Sequence, residues 1–228
     1  MDNTHAAREA IFASIRSHLA ASASHDVLES ELHHHAPAPP VVVTATPTGS
    51  LIDLFKSSLE AVDGHCLVVR DELEVVDALT QIIRQLQGTR LRARAIAISD
   101  DAEVERLIQQ TDLDVDELAI TPSAEDVFRF DVGISRAQAG IAETGTLLLD
   151  SSRERHRLVS LVPPVHIAIL HADQIVGTLG EALSLLRQGE QVTPLATFVT
   201  GPSRTADIEL TLAIGVHGPQ ELFVIVSG

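Results

Sequence analysis

Between residues 50 and 110, the sequence alternates apolar residues at helical spacing with short runs that are apolar throughout. The helical spacing predicts helices near residues 51–62, 73–86 and 102–110, and the apolar runs Cys66–Val69 and Ala95–Ile98 predict strands between them. Short apolar strands that alternate with helices are typical of a parallel sheet covered on both faces. We therefore expect an α/β fold with a doubly wound, mostly parallel sheet.

The pattern changes after residue 131, where three short β-prone pieces follow one another at residues 132–134, 140–143 and 146–149. Glycines separate these pieces, and the stretch has room only for a short helix around residues 136–139. Strands this close in sequence usually pair as hairpins, so we expect an inserted antiparallel element here. The remaining periodic segments predict a helix at residues 180–186 and strands at residues 165–170, 195–199 and 222–226.

The N-terminal region differs from the rest of the chain. Apolar residues at intervals of four, from Ala7 to Leu19, predict a short amphipathic helix within residues 4–20. Residues 21–46 are rich in Ala, Ser, His and Pro, which favours an extended linker. We therefore divide the chain into an N-terminal helix and linker arm, residues 1–46, and an α/β domain, residues 47–228. The helix could dock on a partner or pack on its own domain, and the sequence leaves both open.

Composition excludes several classes of function. The net charge is −16 and Lys56 is the only lysine, which argues against a nucleic-acid partner. Cys66 is the only cysteine, so this chain alone forms no disulfide and no metal site built from several thiolates. The triplet at residues 33–35 could ligate a metal, but no carboxylate or cysteine lies at ligand spacing, so we interpret it as a solvated tract. No apolar run approaches the roughly 18 residues of a membrane span, and we expect a soluble cytoplasmic protein.

A polar stretch after residue 200 is the strongest candidate for a ligand site. Gly201 permits close approach of the backbone, and the hydroxyls of Ser203 and Thr205 can donate hydrogen bonds. The planar guanidinium of Arg204 suits a carboxylate or phosphate. The alternative is that Arg204 pairs with Asp207 or Glu209 and only holds the loop in place. The candidate ligand-binding residues are Gly201, Ser203, Arg204, Thr205, Asp207 and Glu209.

Two residues are candidates for catalysis. Glu143 stands beside a predicted turn at Gly145, where it could act as a base or nucleophile, or only form hydrogen bonds that support the site. His217, between two glycines, could donate a proton if its loop and the 201 loop meet at one edge of the sheet, as ligand sites in open α/β sheets do. His166 lies inside an apolar strand, which is more typical of a buried interior histidine than of a catalyst.

Four blocks of the sequence, at residues 131–149, 161–168, 201–209 and 215–219, together resemble the lactate utilisation protein C family (LutC, also called YkgG), whose domain is named LUD. The resemblance implies a three-layer α/β fold similar to the NagB/RpiA/CoA-transferase superfamily. It also implies a role in oxidation of L-lactate to pyruvate beside two iron–sulfur partners. In the CoA-transferase relatives, a glutamate attacks the acyl group.

The function that follows from the resemblance is a non-cluster subunit or accessory protein of a cytoplasmic L-lactate oxidation system, binding a small organic anion such as lactate. This chain would carry no cofactor and no metal, and the iron–sulfur clusters would belong to lactate utilisation proteins A and B. Two alternatives stay open. One is a freestanding enzyme of the sugar-phosphate isomerase and CoA-transferase superfamily, acting on a phosphorylated or acyl substrate, and the other is a ligand-binding sensor.

Overall fold

The computed structural model describes residues 8–9, 11–18, 50–151, 157–186, 195–206, 212–214 and 218–228. The chain divides into two units, Met1–Thr46 and Pro47–Gly228. In the first unit, residues 8–9 and 11–18 are helical, and Ile11 and Ile15 of the predicted apolar stripe are exposed. The histidine triplet at residues 33–35 lies outside the described residues.

The described residues of the second unit form helices, strands and two short 3-10 turns. In chain order its helices and strands are α1 (Leu51–Glu60), β1 (His65–Val69), α2 (Glu72–Gln87), β2 (Ala95–Ile98), α3 (Ala102–Gln109), β3 (Glu117–Ile120), β4 (Val132–Arg136), β5 (Ala139–Ile141), β6 (Thr146–Asp150), α4 (Leu158–Leu161), β7 (Val165–His171), β8 (Ile175–Val176), α5 (Leu179–Leu186), β9 (Ala196–Val199), β10 (Arg204–Ala206), β11 (Leu212–Ile214) and β12 (Glu221–Ser227).

Side chains at the helix starts explain where several helices begin. Ser50 accepts a hydrogen bond from the backbone N–H of Asp53 at the start of α1, and Asp71 accepts one from Glu74 at the start of α2. At the start of α5, Thr178 and Glu181 each accept a bond from the other's backbone N–H, which is the reciprocal capping box. Polar residues placed just before apolar periodic segments thus set these boundaries.

A six-stranded sheet in the order β1-β12-β7-β4-β2-β3 forms the centre of this unit, and every pairing in it is parallel. The prediction that β4 belongs to the antiparallel insertion is wrong, because β4 lies between β2 and β7 in the parallel sheet. Four consecutive buried residues, Val132 to Ser135, fit a central strand covered on both faces. The short helix considered near residues 136–139 is also wrong, since Arg136 ends β4 and Ala139 begins β5.

The expected antiparallel insertion is present as the β5–β6 hairpin. It belongs to a second, four-stranded sheet in the order β8-β5-β6-β9. A separate antiparallel pair is formed by β10 and β11, so the polar stretch predicted as a loop is a strand from Arg204 to Ala206. Strand β3 was not predicted because it is a short edge strand whose burial is only partial.

The parallel sheet is covered on both faces. Successive residues of β7 point to opposite sides, so Ile167 packs towards one layer and Ala168 towards the other. On the first side the sheet packs against α2 and α3 through Leu79, Ile83 and Leu107. On the second side it packs against α1 and the second sheet through Phe55, Leu59 and Leu147. The structure is therefore a three-layer α/β fold, mostly parallel with an inserted antiparallel hairpin, as the sequence predicts.

Candidate functional site

Two polar loops meet at the amino edge of the parallel sheet. The backbone N–H of Ser203 donates to the carbonyl of Pro219 over 2.8 Å, and Pro219 lies just before β12. A Cβ on Gly218 would lie 3.0 Å from the Cβ of Ser203, so the loops are in close contact. Ligand sites in open α/β sheets usually lie at the carboxyl edge, and this meeting point is at the opposite one. His217 lies outside the described residues, and its role stays a prediction.

Gly201 brings the loop against the turn that follows α1. Its φ is 73°, and a Cβ there would lie 2.6 Å from the carbonyl oxygen of Val62. Both the dihedral angle and the contact require glycine. The close backbone approach predicted for Gly201 is thus made to another part of the same chain.

Arg204 forms an ion pair with a residue that the sequence did not single out. Its Nη2 donates to the Val62 carbonyl over 3.0 Å and to the carboxylate of Asp63. The Arg204 side chain is 34% exposed and that of Asp63 is 74% exposed, so solvent screens this pair. Asp207, Glu209 and the Thr205 side chain lie outside the described residues, so pairing of Arg204 with either acidic residue stays a prediction.

A cavity of 310 Å³ lies under this loop. Most of its lining comes from the sequence blocks 161–168, 201–209 and 215–219 and from β9, the strand before the loop. The lining residues are Ser160, Leu161, His166, Thr197, Phe198, Val199, Thr200, Gly201, Pro202, Ser203, Arg204, Gly218, Pro219 and Leu222.

His166 is the most unusual residue of this cavity. Its side chain is fully buried, and its Nε2 lies 2.8 Å from the Oγ of Ser135 on the adjacent strand β4. Burial lowers the pKa of His166 to about 4, so the imidazole is neutral at neutral pH. Its Nδ1 has no hydrogen-bond partner among the described residues. A buried polar atom without a partner costs about 1–3 kcal/mol, so a ligand or water that bonds to Nδ1 would stabilise the protein.

The sequence pattern favoured an interior role for His166, and its burial agrees with that interpretation. Its position in the cavity wall was missed. The available signal was a single polar residue in an otherwise apolar strand, close to the Pro163–Pro164 pair. Ser135 was missed in the same way, as a buried hydroxyl within a central strand.

Glu143 lies in the turn between β5 and β6 and is exposed. Its Oε1 accepts a hydrogen bond from the backbone N–H of Leu179, the first residue of α5, over 2.9 Å. It is not among the residues that line the cavity. These contacts favour a hydrogen-bonding role, and catalysis by Glu143 stays a prediction.

The same turn is connected to the cavity wall by hydroxyl groups. The Thr146 hydroxyl lies 2.7 Å from that of Thr144 and 2.7 Å from that of Thr200, which lines the cavity. Gly145 has a φ of 63°, and a Cβ there would lie 2.2 Å from the backbone nitrogen of Leu59 in α1. Gly145 and Gly201 therefore both pack against the end of α1 or the turn that follows it.

A second polar cluster lies at the carboxyl edge of the sheet. His171 Nε2 lies 3.0 Å from a carboxylate oxygen of Glu103, and His171 Nδ1 lies 3.0 Å from the Ser227 hydroxyl. Arg136 Nε lies 3.5 Å from Glu103, and Arg136 Nη1 lies 3.6 Å from Asp101. Because a carboxylate oxygen only accepts, His171 Nε2 is the donor in its contact with Glu103.

This cluster borders the place where the strand order reverses. The connection after β2 leads to β3 on one side, and the connection after β4 leads to β7 on the other. A cavity of 530 Å³ opens beside it, lined by Arg136, His171, Gln174 and Ser227 among others. The cluster could have been predicted only by noting that polar residues end three neighbouring strands. No three His, Cys, Asp or Glu side chains of the described ranges are grouped as metal ligands.

The layers and loops define the class of the molecule. It is a three-layer α/β protein in which two polar loops meet over a small cavity at the amino edge of a parallel sheet. The fold is similar to the crystal structure of a DUF162 family protein from Deinococcus radiodurans, with a TM-score of 0.56 and 23% sequence identity, covering 78% of this chain and 96% of that one. In the part of the chain that the structure describes, no helix is long and apolar enough to cross a membrane.

The sequence comparison gives the family. The model of the LUD domain matches residues 52–227, and the chain belongs to the LUD domain family. It is 39% identical over 126 residues to an uncharacterized protein of Neisseria meningitidis serogroup B, covering 55% of this chain and 52% of that protein. It is 41% identical over 101 residues to lactate utilization protein C of Bacillus subtilis, covering 42% of each.

A longer alignment, to lactate utilization protein C of Anoxybacillus flavithermus, has 28% identity over 198 residues and covers 84% of this chain and 86% of that protein. The more similar stretches are shorter. They span about half or less of the length of the first curated relatives that the chain matches.

Proposed function

We propose that this chain takes part in lactate utilisation, as a non-cluster subunit or accessory protein of a cytoplasmic system that oxidises L-lactate to pyruvate. The support is its membership of the LUD domain family and its similarity to several proteins named lactate utilization protein C. With Cys66 as its only cysteine, the chain has too few thiolates to hold an iron–sulfur cluster by itself. The clusters of such a system would lie in partner proteins, the lactate utilisation proteins A and B.

The ligand proposed for the chain is a small organic anion such as lactate or pyruvate, bound in the amino-edge cavity. The observation that carries this proposal is the cavity of 310 Å³ itself, which has a buried imidazole in its wall and a guanidinium at its loop. Its volume lies at the small end of known ligand pockets and suits a three-carbon acid. Arg204 offers the carboxylate the donors of its guanidinium that Val62 and Asp63 do not use, where the site is open to solvent.

Growth of a deletion strain tests the role. Removing the gene should prevent growth on L-lactate as sole carbon source and leave growth on pyruvate intact, and the full-length chain supplied from a plasmid should restore growth. Affinity purification of the tagged chain from lactate-grown cells should recover iron–sulfur proteins. Unimpaired growth of the deletion strain on L-lactate would contradict the role, and purification of the chain alone would contradict its place as a subunit.

The contacts of Glu143 favour this role over a freestanding CoA-transferase-like enzyme acting on a phosphorylated or acyl substrate. A glutamate nucleophile needs its carboxylate directed towards the substrate. Here one carboxylate oxygen is bonded to the start of α5, outside the amino-edge cavity. Turnover of an acyl-CoA or a sugar phosphate by the purified protein, lost in Glu143→Gln, would establish the enzyme instead.

A further inference from the structure

The unpartnered nitrogen of His166 gives the amino-edge cavity a specific chemical preference. The imidazole is held at Nε2 by Ser135, and Nδ1 is the ring nitrogen without a partner among the described residues. Both residues are almost completely inaccessible to solvent, Ser135 at 1% and His166 at 0%. Ser135 therefore occupies Nε2, and Nδ1 is the ring nitrogen left for a ligand in the cavity that His166 lines.

The hydrogen bond to Ser135 bears on which ring nitrogen carries the proton. A serine hydroxyl that donates to Nε2 leaves the proton of the neutral ring on Nδ1, which becomes the unused donor of the ring. In the opposite tautomer, Nε2–H donates to Ser135, and the buried hydroxyl hydrogen has no acceptor among its described contacts. A ligand oxygen at Nδ1 stabilises the first tautomer, because every donor in the pair then has an acceptor.

The neutral imidazole also determines which ligand oxygen belongs there. Moving a carboxylate into a buried site without a countercharge is costly, so the carboxylate is better placed at the solvent-accessible side, near Arg204. An uncharged keto or hydroxyl oxygen on the neighbouring carbon carries no such penalty. A small acid with an oxygen on C2 can thus place its carboxylate near Arg204 and its C2 oxygen at His166.

We propose that the cavity recognises 2-keto and 2-hydroxy carboxylates through donation from His166 Nδ1 to the oxygen on C2, with Ser135 as the positioning residue that fixes the tautomer. This inference rests on the proposed function, because it assumes that a small organic anion occupies the cavity. It goes further by assigning the recognition of the C2 oxygen to one atom of this chain.

Three acids of the same length test this assignment by calorimetry on the full-length protein. Propionate, L-lactate and pyruvate differ only in the substituent on C2, and one hydrogen bond is worth about a threefold to tenfold difference in affinity. Wild-type protein should bind pyruvate and L-lactate more tightly than propionate by that factor. If all three acids bind equally well, the recognition of the C2 oxygen is wrong and the anion site stands. If none binds at millimolar concentration, the anion site itself is wrong, while the growth experiment still decides the role in lactate utilisation.

Two substitutions of His166 distinguish the roles of its two ring nitrogens. His166→Gln places an amide near the Nε2 position, keeps the contact with Ser135 and loses the donor at Nδ1, so the preference over propionate should disappear. His166→Asn places an amide near the Nδ1 position and should retain part of the preference. Ser135→Ala should reduce the preference over propionate, because the tautomer of His166 is then no longer fixed. A preference retained in full by His166→Gln would overturn the assignment.

A measurement on wild-type protein makes the test independent of whether these variants fold. Nitrogen NMR of ¹⁵N-histidine-labelled protein distinguishes the two neutral tautomers. With saturating pyruvate, His166 should show the proton on Nδ1. A proton on Nε2 in that complex would refute the proposal.

Discussion

The guanidinium of Arg204 is bound to the carboxylate of Asp63, a residue 141 positions earlier in the chain. Asp63 adopts a φ of 61°, which is uncommon for a residue with a side chain. The pair joins the loop of the candidate site to the turn after α1. It also means that an anion bound by Arg204 must share the guanidinium with Asp63.

Replacing Asp63 by Asn tests whether Arg204 contacts the anion. The uncharged amide no longer competes for the guanidinium, so pyruvate should bind about threefold more tightly at low salt. The free energy of unfolding should fall by less than about 1 kcal/mol, because the pair is largely solvated. Calorimetry and urea unfolding measure the two effects. Asp77→Asn removes the same charge from an exposed position on α2 and should change neither. Unchanged or weaker pyruvate binding in Asp63→Asn would exclude Arg204 as the anion clamp.

Gly145→Ala should destabilise the protein by more than about 2 kcal/mol, because the new Cβ meets backbone atoms of α1 and the residue has a positive φ. Gly180→Ala is the matched control. A Cβ at that position, in the first turn of α5, would have its nearest neighbour at 3.9 Å, so the free energy of unfolding should be equal or higher by up to about 1 kcal/mol. Equal stabilities of the two variants in urea would contradict the close packing of Gly145 on α1.

The features predicted correctly depend on local sequence. The strands Ala95–Ile98 and Val165–His171 and the helix Glu72–Gln87 follow from periodicity and capping within a few residues. The strands that pair with β4 cannot be predicted in this way, because they lie about 30 residues away in the sequence. A short β-prone piece beside a hairpin therefore appeared to belong to the hairpin, since the sequence of β4, with Gly133 and Ser135 between apolar residues, does not show the continuous burial of a central parallel strand.

The candidate site likewise combines features that local sequence predicts with contacts that only the assembled fold creates. Glycines at positions 145 and 201 were expected to permit tight backbone geometry, and both have positive φ. The partner of Arg204 was unpredictable from spacing, because Asp63 comes close only when β1, β12 and the 201 loop are assembled. The orientation of His166 into a cavity likewise depends on which face of β7 the second sheet covers.

His166 should make stability depend on pH in the acidic range. Its pKa is lowered from 6.5 to about 4 by burial, so below pH 6.5 the unfolded chain binds a proton that the folded protein excludes. Stability is therefore lost as pH falls from about 6.5 towards 4, by about 1.4 kcal/mol per pH unit from this residue.

The contribution of His166 is isolated by comparison with His166→Gln, which cannot be protonated. The free energy of unfolding of wild-type protein should fall more steeply between pH 6.5 and 4.5 than that of the variant. All other titrating groups are shared by the two proteins, so the difference between their slopes belongs to His166. Parallel curves would show that His166 titrates normally in the folded protein.

Cys66 should resist alkylation in the folded protein. The residue is 7% exposed, and burial raises the pKa of its thiol to about 11, so almost no thiolate exists at pH 8. Iodoacetamide should modify it at least a hundredfold more slowly than in 6 M guanidinium chloride, as followed by mass spectrometry. Rapid modification under native conditions would show that β1 opens readily.

Glu143 is expected to act on stability rather than on ligand binding. Its Oε1 accepts from the backbone N–H of Leu179, and Glu143→Ala leaves that helix-start N–H without its partner. The free energy of unfolding should fall by about 1 kcal/mol, as for loss of a helix cap. Glu143→Gln retains an acceptor oxygen and should be close to wild type, and neither variant should alter pyruvate affinity. If Glu143→Gln keeps full stability but loses pyruvate binding or a measured turnover, the carboxylate has a chemical role that this contact does not explain.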